Sequence, residues 1–215
     1  MTASQSMPQM TDFDQSIDGA QSDIDLIALL GSRLCHDLIS PMGAIGNGVE
    51  LMAMSGAPMS PELQLIAESV TAANARLKFF RVAFGQAAAD QRMGTPEVRG
   101  VLSEMSRSGR LNFVWDAEGD HPRRLVKMCF LSLLCLEAAL PWGGVITIRA
   151  QNGTWTIEAE SKKTKQDPAL WAALSGDGVQ VSAAQVQFAL LPKEAARSRR
   201  AVAWDIEETR ARISF

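Results

Sequence analysis

The chain of 215 residues holds only two histidines, His36 and His121, and three cysteines, Cys35, Cys129 and Cys135. That scarcity removes most metal-ligating and triad chemistry, and three cysteines with no CxxC spacing make neither a zinc site nor a disulfide framework. Cys35 and His36 are adjacent, yet neighbours on a helix diverge by about 100° and do not face each other. His36 has better company. Asp37 follows it, and Arg33 and Ser40 lie three and four positions away on the same helix face. Pro41 then interrupts the pattern, and Gly43, Gly46 and Gly48 crowd the next two turns. Inside a helix proline costs about 3 kcal/mol and each glycine about 1. A sequence that accepts such losses beside one imidazole uses that local geometry, or carries a kink where small residues let helices approach.

Imidazole in water titrates at about pH 6.5 and is mostly neutral near pH 7. Its free nitrogen can attack phosphorus and carry a phosphoryl group covalently. Asp37 could hydrogen-bond the ring, Arg33 neutralise phosphate oxygens, and Ser40 orient water or the acceptor. His121, within Asp120-His121-Pro122, reads as a surface residue at a helix entry.

The elements that must position His36 follow from periodicity. Residues 1–20 are polar and aperiodic and read as a disordered tail. A helical pattern runs from Ser22 to about Ser55, with an apolar stripe of Ile27, Leu30, Leu34, Leu38, Ile45, Val49 and Met52. His36 is two positions from both Leu34 and Leu38, about 200° round the helix, so it points away from that stripe. Gly56, Ala57 and Pro58 end the segment. Ser60 and Pro61 open a second helix with a stricter seam of Leu63, Ile66, Val70, Ala73, Leu77, Phe80 and Phe84. Residues 21–90 are therefore expected to form an antiparallel hairpin. A continuous seam on two helices asks for a second copy, giving a homodimeric four-helix bundle.

Residues 91–215 change character. The patterns predict a helix from Thr95 to about Arg107, a strand at Leu111–Trp115 and a buried helix at Pro122–Leu140. A hairpin of Val145–Ala150 and Thr154–Glu160 turns at Asn152-Gly153. A short helix from Asp167 to Leu174, another from Ser182 to about Ala196, and strands at Ala201–Trp204 and Ala211–Phe215 complete an α+β sandwich, with helices on one face of a mixed sheet. The five tryptophans read as core or edge packing, and Lys162–Lys165 and Arg197–Arg200 as solvated clusters. With 21 basic against 24 acidic side chains, nothing favours nucleic acid. No membrane span and no secretory signal is expected, which points to a reduced cytoplasmic protein.

The run His36-Asp37-Leu38-Ile39-Ser40-Pro41 resembles the H-box of the dimerisation and phosphotransfer domain of sensor histidine kinases. The wider run SRLCHDLISPMGAIGNGVELM is similar to histidine phosphotransferases of the ChpT type. That resemblance implies a dimeric hairpin followed by a degenerate, Bergerat-type ATPase-like domain. It implies phosphorylation of His36, with Arg33, Asp37 and Ser40 in support, and docking of a receiver on Ile39, Met42, Gly43 and Gly46. The implied partners are the receiver domain of a CckA-type hybrid histidine kinase and CtrA-type response regulators in a cell-cycle phosphorelay.

Departures from the kinase pattern bear on activity. The helix matching the kinase N-box reads MCFLSLLCLEAALPWGG, without asparagine. The segment IEAESKKTKQDP lacks D-x-G-x-G, and SGDGVQVSAAQVQF replaces the glycine-rich lid, leaving Gly176 and Gly178 as an ordinary turn. No cofactor or metal is therefore expected on this chain, with Mg²⁺ confined to the partner receiver, and no ATP-dependent self-phosphorylation. The other readings are a divergent ATP-dependent histidine kinase and a non-catalytic dimeric scaffold that binds receivers.

Overall fold

A computed structural model describes residues 11–55, 60–176 and 179–215. Two helices come first, α1 (Thr11–Met54) and α2 (Pro61–Phe84). Helix α1 starts before Ser22, so residues 11–20, read as tail, are helical, while residues 1–10 lie outside the described residues. The Gly56-Ala57-Pro58 turn and Gly178 also lie outside them. Ser60 caps α2 as expected: its hydroxyl accepts from the Leu63 amide at 3.3 Å, with Pro61 at the first helical position. Helix α2 stops at Phe84, short of residue 90.

The two helices run antiparallel, with Gly31 against Phe84 at one end and Gly46 against Val70 further along. The face that α1 turns to α2 is not the long apolar stripe. It consists of buried Ile24, Ala28 and Cys35, continued by half-buried Ile39, Met42, Gly46 and Val49. Ile27, Leu30, Leu34, Leu38, Ile45 and Met52 lie about a quarter-turn away and stay 40–58% exposed. Of the predicted stripe only Val49 faces inward. Pro41 does not break α1, which runs through it; its missing N–H leaves the Asp37 carbonyl without an intrahelical partner.

The second half is an α+β unit. Strand β1 (Arg92–Gly94) leads into α3 (Thr95–Ser108), then β2 (Leu111–Asp116), β3 (Asp120–Pro122) and α4 (Arg123–Ala139). The hairpin β4 (Gly144–Gln151) and β5 (Thr154–Glu160) follows, then α5 (Pro168–Ala172) and α6 (Val186–Arg197). The chain ends in β6 (Ala203–Ile206) and β7 (Arg210–Ser214), two residues later in the first strand than the pattern suggested. The main sheet has the order β2-β4-β5-β7-β6, parallel between β2 and β4 and antiparallel elsewhere. The pairing of β1 with β3 carries no sequence signal strong enough to predict it. Asn152, at φ 52°, and Gly153, at φ 82°, make the β4–β5 turn in the left-handed region, as Asn-Gly should.

One sheet face packs on the helices through Ile146, Ile148, Ile157, Ala159, Ala211 and Ile213, all buried. The other carries a cross-strand charge ladder in which Arg149 reaches both Asp116 and Glu158, and Arg210 reaches Glu158. Alternation of apolar and polar residues produces this division.

The hairpin is fastened to the sandwich. Ala75, Phe79, Val82 and Ala83 of α2 enter the same core as α4, with Phe79 and Phe130 ring centroids 4.7 Å apart. Arg123, mostly buried, donates to the carbonyls of Val82 and Arg81 at 2.9 Å each, closing the end of α2. Burial pulls its guanidinium down to about 10. Arg76 grips both Glu137 oxygens, Lys78 both Glu104 oxygens, and Ser32 accepts from the Gln86 amide.

Three surface readings need correction. His121 is half-buried, edge-on to Trp155 at 4.8 Å and near Trp115 at 5.9 Å, because β3, which carries it, meets residues of β2 and β5 there. Arg197 pairs with Asp25 at 2.7 Å, and Arg200 donates to the Gly153 carbonyl, so that cluster is not simply solvated. Trp142, read as packed, is 64% exposed.

Candidate functional site

Helix α1 presents three flanks. Buried Cys35 marks the one against α2, and the exposed apolar stripe lies about 90° to one side. His36, one residue beyond Cys35, lies about 100° to the other side. Its ring is 83% exposed. Pairing α1 with α2 through the Cys35 stripe thus turns His36 outward.

The imidazole is restrained from one side only. His36 Nδ1 lies 3.1 Å from Asp37 Oδ1, and Arg33 Nε lies 2.7 Å from Asp37 Oδ2. A proton on Nδ1 is donated to Asp37, which leaves Nε2 with its lone pair facing solvent. The hydrogen bond from His36, together with the Arg33 charge, holds the Asp37 carboxyl below the usual carboxylate range. Arg33, expected to meet phosphate oxygens, instead turns its guanidinium to Asp37 one helical turn on. Ser40 is exposed one turn beyond His36.

Of the residues expected to dock a partner, Gly46 packs inward: a Cβ there would sit 3.4 Å from Val70 Cγ1. Ile39 and Met42 share that inward stripe and are half-buried. Gly43 alone of the four opens onto space, with no atom within 4 Å of where a Cβ would sit.

Helix α4 shows where polar groups go in the part compared with a kinase nucleotide site. Lys127 forms a buried pair with Glu194 of α6 at 2.6 Å, the Ser132 hydroxyl donates to the Met128 carbonyl at 2.9 Å, and Glu137 takes Arg76. Between them lie fully buried Met128, Phe130, Leu131, Leu133 and Leu136. After β5, Thr164 is buried and donates to the Glu207 carbonyl. Gly176 ends a short 3₁₀ turn at φ 84°. Among the described residues no group of three or more His, Cys, Asp or Glu side chains is placed to hold a metal ion. No helix among them is long and apolar enough to cross a membrane.

Sequence reasoning missed the ion pairs and carbonyl caps joining α2 to the sandwich. Their partners stand 26 to 61 residues apart, beyond any local pattern.

Comparisons with known proteins agree with this architecture. The protein phosphotransferase ChpT of Brucella abortus (strain 2308) is 41% identical over 132 residues, spanning 60% of this chain and 63% of that protein. The solved structure of a bacterial phosphotransferase superposes with a TM-score of 0.64 at 26% identity, covering 89% of this chain and 95% of that one. A family model described as histidine phosphotransferase C-terminal domain matches residues 95–210, more than half of the chain, from α3 to the start of β7. By that match the chain belongs to the histidine phosphotransferase family.

Proposed function

We propose that this protein relays phosphoryl groups between receiver domains through a phosphohistidine at His36. The observation that carries the proposal is the one-sided restraint of an exposed ring, with Nδ1 held by Asp37 and Nε2 open. An aspartyl phosphate on a donor receiver is an acyl phosphate. Nε2 attacks its phosphorus, the bond from phosphorus to the acyl oxygen breaks, and the donor carboxylate leaves. The Nδ1 proton stays on the ring, and Asp37 offsets the positive charge that develops there. A second receiver's aspartate oxygen then attacks the same phosphorus, the N–P bond breaks, and Nε2 leaves with its electron pair as neutral imidazole. Resemblance suggests a CckA-type hybrid kinase receiver as donor and CtrA-type response regulators as acceptors, within a cell-cycle phosphorelay. Mg²⁺ belongs to those receivers in this reading.

The working unit is a homodimer. Two antiparallel right-handed helices carry residues rotated the same way from their contact line on the same side of the pair. Ile66 of α2, 46% exposed, therefore joins the exposed α1 stripe on one face, opposite the His36 flank. A second copy covers that face to make a four-helix bundle and leaves His36 accessible. Ser40 and Gly43 then line the docking flank beside the imidazole.

This protein does not phosphorylate itself from ATP. The polar side chains of α4 named above are committed to protein partners, and the sandwich is fixed to α2 by buried contacts. A domain so fastened is poorly suited to carry a nucleotide to His36.

The test is transfer from a receiver carrying ³²P-phosphate. Wild-type protein should gain acid-labile label and His36→Ala none. Equal labelling of both proteins would sink the relay, and label acquired from ATP alone would establish the kinase reading instead. A protein that binds the receiver but takes no label is a scaffold.

A further inference from the structure

Between α2 and the sandwich, away from His36, lies a cleft of about 560 Å³. That size falls in the range of small-molecule sites, roughly 300–1,000 Å³. One wall is aromatic: Phe80 and Phe84 stand 5.4 Å apart between ring centroids, with Leu134 and Ala138 of α4 continuing the apolar surface. Gln187, a residue only 6% exposed, also lines the cleft. The charges are unbalanced. Glu137 is the carboxylate at the cleft, and both of its oxygens accept from Arg76, at 3.2 and 2.9 Å. Arg76 is further fixed with its guanidinium carbon 4.7 Å from the Phe80 ring centre. Arg110 and Lys165 also line the cleft, and neither has an acidic partner among the described residues.

We propose that this cleft binds a small aromatic anion, its ring against Phe80, Phe84 and Leu134 and its phosphate or carboxylate between Arg110 and Lys165. Two cations without counter-charge at the mouth of an aromatic slot attract such a molecule by sign, and the wall selects it over a bare ion. With its carboxylate already occupied, the cleft offers no oxygen set for Mg²⁺, so binding is metal-independent.

Calorimetry on the full chain in EDTA tests this, with 1-naphthyl phosphate and 1-naphthoate as the two forms of the anion. At least one should bind with a dissociation constant on the order of 100 μM. Inorganic phosphate and benzyl alcohol should each bind at least about tenfold more weakly, since each uses only half the site. Arg110→Glu/Lys165→Glu, at exposed positions, should weaken the naphthyl anion about tenfold or more, while Arg149→Glu on the far sheet face leaves it unchanged. Ala138→Trp, filling the slot, should abolish binding. The proposal is overturned if neither naphthyl anion binds below roughly 5 mM, if inorganic phosphate binds equally well, or if the double charge reversal binds like wild type. Binding restricted to ATP with Mg²⁺ would overturn it as well. No receiver is present, so the result is independent of phosphotransfer at His36.

Discussion

Asp37 accepts from His36 on one oxygen and faces Arg33 on the other, so a single carboxylate fixes the ring tautomer while being steadied itself. Asparagine can present either its oxygen or its NH₂ to the ring, and loses the charge that offsets a developing imidazolium. Asp37→Asn is therefore expected to slow transfer from a phosphorylated receiver by roughly tenfold or more while leaving folding intact. Rapid-quench rates would show this, and an unchanged rate would make the carboxylate a bystander. Arg33→Ala should slow it far less, because an exposed pair one turn apart is screened by solvent and holds its partner only weakly. The link between His36 and Asp37 was legible because it is local. The surroundings of His121 were not: Trp115 and Trp155 reach it from strands that no short-range pattern brings together.

The long helices pose a different question, which is not whether they form but what each face meets. Spacing identified an apolar stripe on α1, yet α2 covers the smaller residues beside it: Ala28, Cys35 and Gly46 allow closer approach than Leu30 or Leu34 would. Periodicity reports that a face is apolar and does not say who covers it. Nor does it register a helical stretch without an apolar repeat, which is why the start of α1 at Thr11 escaped it. The stripe left over makes a prediction. Burying the exposed half of each Leu or Ile contributes about 1 kcal/mol, so several together support association. Leu34→Glu/Leu38→Glu should give a monomer by light scattering, with a thermal midpoint close to that of wild-type protein at low concentration. A dimer persisting in this variant would place the interface elsewhere.

For the molecule as a whole, the common core spanning α2, α4 and the sheet predicts cooperative unfolding with a distinct pH signature. Cys129 and Cys135 lie wholly inside that core, and burial raises both thiols well above the ordinary 9.0. In the unfolded chain they lose protons as pH passes about 9; in the folded chain they keep them. The folded state then binds more protons, so their contribution is intact below pH 9 and declines above it, by up to about 1.4 kcal/mol per pH unit for each thiol. Urea midpoints should fall between pH 8 and pH 10.5, and less steeply in Cys129→Ala/Cys135→Ala. Parallel slopes would mean the thiols are not shielded. Sheet and helices of this half were mostly readable from alternation and turn residues, whereas its attachment to the hairpin was not.

That attachment has a mechanical corollary. Arg123 begins α4 and holds the final carbonyls of α2, so the last turn of one rod is gripped by the first turn of another. Torque applied to the hairpin would therefore meet this clamp and the shared core before any loose joint, and would be passed towards the sheet.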